Sequence, residues 1–103
     1  MTRLEWTDRA VADLDNIHDY IARDSADYAH AVVERLILSV ERLKSFPESG
    51  RHVPETPNPK VREIIVSGYR IVYRLKAGRA QILAVIHSAR SLVGMKPKPW
   101  DAK

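Results

Sequence analysis

Hydrophobic and polar residues alternate from the start of the chain. Leu4 and Trp6 fall on one face of "RLEWT", the two-residue period of a short strand. From Ala10 the period lengthens. Ala10, Leu14, Ile17 and Ile21 recur at helical spacing, with Val11 and His18 beside them and Asp13, Asp15 and Asp19 on the outer side. Thr7 or Asp8 is placed to cap this helix by accepting a bond from an unpaired backbone N–H. Asp24-Ser25 interrupts the pattern, and either residue suits the cap of a second helix. Ala29, Val33, Leu36, Val40 and Leu43 then form a long apolar stripe supported by Val32 and Ile37, ended by Pro47. Two helices joined so briefly form an antiparallel hairpin.

Between Pro47 and Lys60 stand four of the six prolines and Gly50, so no regular element is expected there. "VREIIV", "YRIVYRL" and "RAQILAVIH" follow as three strands, joined at Ser67-Gly68 and Ala77-Gly78 by two-residue turns of antiparallel hairpins. In the middle strand Tyr69, Ile71, Tyr73 and Leu75 share one face, while Arg70, Val72, Arg74 and Lys76 share the other. The stripe of the second helix should bury against the face that carries Tyr69, Ile71 and Tyr73. His87 is expected on the face of Leu83 and Val85. The reading is an α+β domain of order β-α-α-β-β-β, a helical hairpin on one face of a small antiparallel sheet. It is one domain over residues 1–103, with a flexible tail from about residue 96.

Charge adds a polarity that the elements do not reveal. Residues 1–48 hold six Lys/Arg against ten Asp/Glu, a net −4; residues 49–103 hold eleven against three, a net +8. The C-terminal half should therefore meet an acidic surface: DNA, RNA or an acidic protein. With no cysteine in the chain, disulfides and cysteine-based zinc sites are excluded. His18, His30, His52 and His87 never approach metal-ligand spacing, no glycine-rich phosphate loop occurs, and no cofactor is implied. "MTRLEWTDRA" has no apolar signal-peptide run and no stretch reaches membrane-spanning length, so a cytoplasmic protein without membrane contact is expected.

One constellation carries candidate chemistry. Arg62, Arg70, Arg74, His87 and Arg90 lie on the C-terminal strands or their edges, and Arg51, His52, Glu55 and Lys60 lie on the loop before them. Metal-free cleavage of RNA needs a base for the 2′-hydroxyl, an acid for the leaving oxygen and cations for the charged intermediate. These residue types supply all three. They also fit ordinary structure: arginines alternate on any half-exposed strand, a strand-end histidine is commonly hydrogen-bonded in place, and a glutamate among prolines is commonly a solvated loop charge. Tyr69 and Tyr73 are most simply core.

Taken together, "FPESGRHVPE", "VREIIVSGYRIVYR" and "ILAVIHSAR" resemble the RelE/ParE superfamily of toxins from bacterial type II toxin–antitoxin modules. "LEWTDRAVADLDNIHDYIARDS" is similar to that family's opening strand and first helix, so the resemblance covers almost the whole chain. It implies a toxin held inactive by a ParD/RelB-like antitoxin in a hetero-oligomer that reaches operator DNA only through the antitoxin. RelE-like members cut mRNA on the ribosome, and by analogy Arg62, Arg70 and Arg90 would bind phosphate, with Glu55 or His87 as proton carriers. ParE-like members poison DNA gyrase and are tied to plasmid stabilisation and growth arrest. Here the loop has few basic residues, and the C-terminus lacks a Tyr or His-Tyr ending. The nearly forty-residue hairpin also resembles the ParE side. The expectation is thus a non-enzymatic gyrase inhibitor that uses Arg62, Arg70, Arg74 and Arg90 for partner docking. Ribosome-dependent mRNA cleavage by Glu55, Arg62, Arg70, His87 and Arg90 is the alternative, and a non-toxic, antitoxin-binding co-regulator is the third reading.

Overall fold

In the computed structural model, residues 1–101 are described. The elements are β1 (Arg3–Trp6), α1 (Asp8–Ala22), α2 (Ala26–Glu41), β2 (Arg51–His52), β3 (Val61–Val66), β4 (Tyr69–Lys76) and β5 (Arg79–His87). Single 3-10 turns follow at Arg42–Lys44 and Pro99–Asp101. Thr7, not Asp8, caps α1: its Oγ1 accepts from the Ala10 N–H at 3.2 Å. Ser25 caps α2 in the same way, accepting from the Tyr28 N–H at 3.1 Å. Both turns between the last three strands have positive φ at each central residue: Ser67 and Gly68 at 53° and 82°, Ala77 and Gly78 at 50° and 76°. That geometry matches the twist of the strands it joins.

The sheet runs in the order β1-β5-β4-β3-β2. It is mixed, not wholly antiparallel, because β1 pairs parallel with β5, Arg3 opposite Arg79 and Trp6 opposite Ile82. A parallel pair needs a long connection, and here the helical hairpin and strands β2 to β4 all lie between the two. The proline-rich loop also contains a regular element, contrary to expectation: Arg51 and His52 pair with Glu63 and Arg62 as a two-residue edge strand. Gly50 admits this edge. A Cβ there would stand 2.6 Å from the Tyr73 hydroxyl and 2.7 Å from the Glu63 carbonyl oxygen. The same hydroxyl accepts from the Gly50 N–H at 3.0 Å and donates to the Pro47 carbonyl at 2.7 Å, tying the loop to the core.

The helices cover one face of the sheet, burying Ala10, Leu14, Leu36, Val40 and Leu43 against Ile64, Ile71, Tyr73, Ile82 and Val85. Within the α2 stripe Val32 is buried; Val33 is only partly so and turns toward Trp6, Val11 and Ile37 on the outer groove of the hairpin. Asp13 departs from its expected outward position. It is half-buried, and its carboxylate accepts from the Val85 N–H at 2.9 Å. Burial raises its pKa.

The second face is covered as well. Val53, Val61, Val72, Leu83, Ala84, Ile86, Leu92 and Met95 form a smaller core with Trp100 packed on it. The stretch expected to be a flexible tail is therefore laid on the sheet through Asp101: Pro99 is buried, and Arg74 Nη1 donates to the Trp100 carbonyl at 3.0 Å. Ala102 and Lys103 lie outside the described residues. A bulge completes the division of faces. Val72 pairs with Ala84 and Tyr73 with Ile82, so Leu83 is the extra residue. Parity flips across it, which puts Leu83 in the second core and Val85 under the helices. The expectation that Leu83 shares a face with Val85 and His87 is corrected accordingly: Val85 and His87 lie on one face, opposite Tyr69 and Ile71, and Leu83 lies on the other.

Candidate functional site

The second face is organised around buried charge. Arg70, 5% exposed, projects from β4 and donates from Nε to Glu63 Oε1 at 2.6 Å. Its Nη1 and Nη2 grip Glu55 at 2.8 and 2.6 Å as a bidentate fork, and Nη1 also reaches the Arg90 carbonyl at 3.2 Å. Glu63 is 1% exposed and takes Arg51 Nε on its second oxygen at 2.7 Å. Glu55 Oε2 in turn accepts from the Leu92 N–H at 3.1 Å. The chain of charges, Arg51–Glu63–Arg70–Glu55, thus fastens the edge strand, the proline loop and the C-terminal segment to one point on the sheet.

Position decides what these groups do. Hydrogen bonds from Arg70 lower the Glu55 pKa to about 2, against the opposing effect of its burial, and the same partnership raises that of Arg70. A general base works best with a pKa near the operating pH, so Glu55 is poorly suited to accept a proton. Arg70 has its fork filled by carboxylates and is screened from solvent. It is neither a free phosphate clamp nor an exposed docking residue.

The remaining candidates are dispersed. Arg62 points to the helix side of β3, where Nη1 donates to the carbonyls of Glu48 at 3.1 Å and Gly50 at 2.8 Å. Arg74 shares the second face with Arg70, but it is directed along a polar row: its Nη2 meets Gln81 Oε1 at 2.5 Å, and Gln81 Nε2 meets Glu5 Oε1 at 2.8 Å. His87 is exposed at the end of β5, edge-on to Tyr69 with ring centroids 5.8 Å apart, and its Nδ1 accepts from the Ala89 N–H at 3.2 Å. The Arg90 side chain is exposed. Of the five residues of the nuclease reading, only Glu55 and Arg70 meet through their side chains. Among the described residues no group of three or more His, Asp and Glu is placed to hold a metal ion, and no helix is long and apolar enough to cross a membrane.

Sequence reasoning missed Glu63, the centre of the network. The signal was present: in "VREIIV" the carboxylate alternates with Val61 and Ile65, so an apolar strand face carries a group that needs a cation if it is buried.

The Glu55 shift sets the acid limit of this latch. A carboxyl lowered in the folded state contributes stability that is complete above its ordinary value of 4.5 and is lost as the pH falls toward about 2. Unfolding of the wild type and Glu55→Gln, followed from pH 7 to pH 2, should show the wild-type advantage disappearing within that window. An advantage independent of pH would remove the carboxylate as its source.

Fold and site together define a small α+β domain whose sheet is closed on both faces and whose candidate cations are largely engaged. Residues 4–92 match the profile of the ParE toxin of the type II toxin–antitoxin system parDE, and the chain belongs to that family. It is the toxin component of a type II toxin–antitoxin pair of the ParE/RelE group. "Toxin RelE2" of Caulobacter vibrioides is 36% identical over 91 residues, spanning 87% of this chain and 99% of that one. "Putative toxin Y4kP" of Sinorhizobium fredii is 37% identical over 90 residues, 84% of this chain and 88% of its own. Among solved structures, "Chromosomal ParDE TA system from P. aeruginosa" superposes with a TM-score of 0.72 at 29% identity, covering 84% of this chain and 96% of that one.

Proposed function

We propose that this toxin arrests growth by poisoning DNA gyrase from the cytoplasm, without nuclease activity of its own, and that a ParD-like antitoxin neutralises it. The observation that carries this reading is the closed Glu55–Arg70–Glu63 network. It engages Glu55, one of the two proton carriers of the nuclease alternative, and Arg70, one of its three phosphate-binding arginines. Family membership supports it through the ParE profile. Within the arginine set assigned to partner docking, Arg90 is exposed and directly available. Arg62 and Arg74 are half-buried and would contribute at the rim, and Arg70 would act only by holding the surface in shape.

Ribosome-dependent mRNA cleavage is kept as the second reading because a relative 36% identical carries the name Toxin RelE2. His87→Gln separates the two. Glutamine keeps hydrogen-bonding capacity and removes acid–base function, which a nuclease site would register as a loss of about 10²–10⁴ in rate. The expected outcome is retained toxicity for His87→Gln, with the wild-type chain trapping purified gyrase on DNA and leaving mRNA intact on ribosomes. Codon-position cleavage of mRNA in a purified translation system, abolished by His87→Gln, would overturn the gyrase reading.

A further inference from the structure

Four neighbouring strands carry cations where they begin or end at one rim of the sheet. In spatial order across β3, β4, β5 and β1, these are Lys60, just before β3, then Lys76, Arg79 and Arg3. The pairing is direct: the Leu75 N–H donates to the Lys60 carbonyl at 3.0 Å, Lys76 lies opposite Arg79, and Arg79 lies opposite Arg3. Neighbouring strands are about 4.8 Å apart, so the row spans about 14 Å. A cavity of about 360 Å³ opens beside it, and Arg62 joins Lys60, Lys76 and Arg79 in its lining.

Three features make this row unlike an ordinary wet edge. Arg3, Lys60 and Lys76 are exposed, and none has an acidic partner among the described residues. Arg79 alone is paired, with Glu5. Between the cations the lining holds Thr2, Ala77 and Gly78 together with Pro47, Pro59 and Leu75, with open space where a Gly78 Cβ would project. The helical hairpin on one face of the sheet has the reverse sign, since residues 8–41 carry eight acidic residues against three basic ones, a net −5.

We propose that this rim binds the phosphodiester backbone of a nucleic acid. A single strand presents one negative charge per nucleotide, about every 3.4 Å of axial rise, so cations on strand ends that together span about 14 Å can face roughly four of them. An acidic protein segment would fit less well, because protein interfaces take their affinity from large apolar or aromatic anchors in pockets, and this lining sets four cations and no aromatic residue beside the apolar Pro47, Pro59 and Leu75. The acidic hairpin would turn away from the polyanion and orient the toxin on it. Glu48 is the one carboxylate side chain on the lining, and it opposes the binding. The proposal does not rest on the gyrase reading: binding at this rim and trapping of gyrase are separate measurements on the same chain.

The test uses the full chain made by cell-free synthesis and a fluorescein-labelled, mixed-sequence DNA single strand of about 20 nucleotides, with anisotropy read across a salt series. The wild type is expected to bind with log K falling linearly with log salt. Lys60→Gln/Lys76→Gln should weaken binding at least about tenfold and flatten the slope by about 1.4, as expected for two lost contacts with a single strand. Glu48→Gln should tighten binding several-fold, and Asp24→Asn/Asp27→Asn at the hairpin tip should leave it unchanged. Circular dichroism of each variant verifies that it is folded. Binding that is absent at low salt, or indifferent to Lys60 and Lys76, would overturn the proposal. So would displacement by poly-glutamate at equal charge, which would assign the rim to an acidic protein.

Discussion

Arg70→Met is expected to lower the free energy of unfolding by about 3–5 kcal/mol, the range for removing one partner of a buried ion pair. The loss comes from what is left behind. Glu63, 1% exposed, and the largely buried Glu55 would both face the interior without the cation between them, and Arg51, with its side chain 59% exposed, would satisfy only one oxygen of Glu63. Arg90→Met, at an exposed position, should stay within about 0.5 kcal/mol of wild type. Urea unfolding at pH 7 measures both. If Arg70→Met costs less than about 1 kcal/mol, the network does not fasten the second face. If it leaves stability intact but abolishes activity, Arg70 is a functional cation after all.

Leu36→Ala should cost about 2–5 kcal/mol, since a fully buried leucine leaves a cavity that its neighbours fill only in part. Leu36 is 0% exposed on α2, in the core that includes Ile64, Ile71 and Tyr73. Ile37 provides the comparison one residue along. At 41% exposed it lines the outer groove, and Ile37→Ala should cost distinctly less. Equal losses at the two positions would mean that the helix is rotated from the orientation described.

The local features of this protein were legible in its sequence because their causes are local. The apolar period of 3.6, interrupted at Asp24-Ser25, gives two helices, and a hydroxyl one residue before each supplies the cap. Ser67-Gly68 and Ala77-Gly78 fix two hairpins because few residue pairs accept positive φ in succession. Leu36 could be assigned to the core from spacing alone. The family was legible too, since its resemblance is carried by contiguous runs of residues.

What the tertiary structure alone decided depends on residues far apart in the chain. β1 meets β5 in parallel across about 75 residues, and no periodicity in "RLEWT" names that partner. The bulge at Leu83 reverses the parity of β5, so alternation counted from the sequence assigned Leu83 to the wrong side. The candidate cations lie on neighbouring strands of one sheet, yet side chains alternate across a sheet, which leaves Arg62 on β3 and Arg70 on β4 on opposite faces. Above all, an arginine on an amphipathic strand reads as solvated until something covers it. The proline loop and the segment from Leu92 to Trp100 do so here, and burial turns Arg70 from a surface charge into the cation that Glu55 and Glu63 require. Whether a charge is desolvated is a property of its non-local neighbours, so only the fold could decide it.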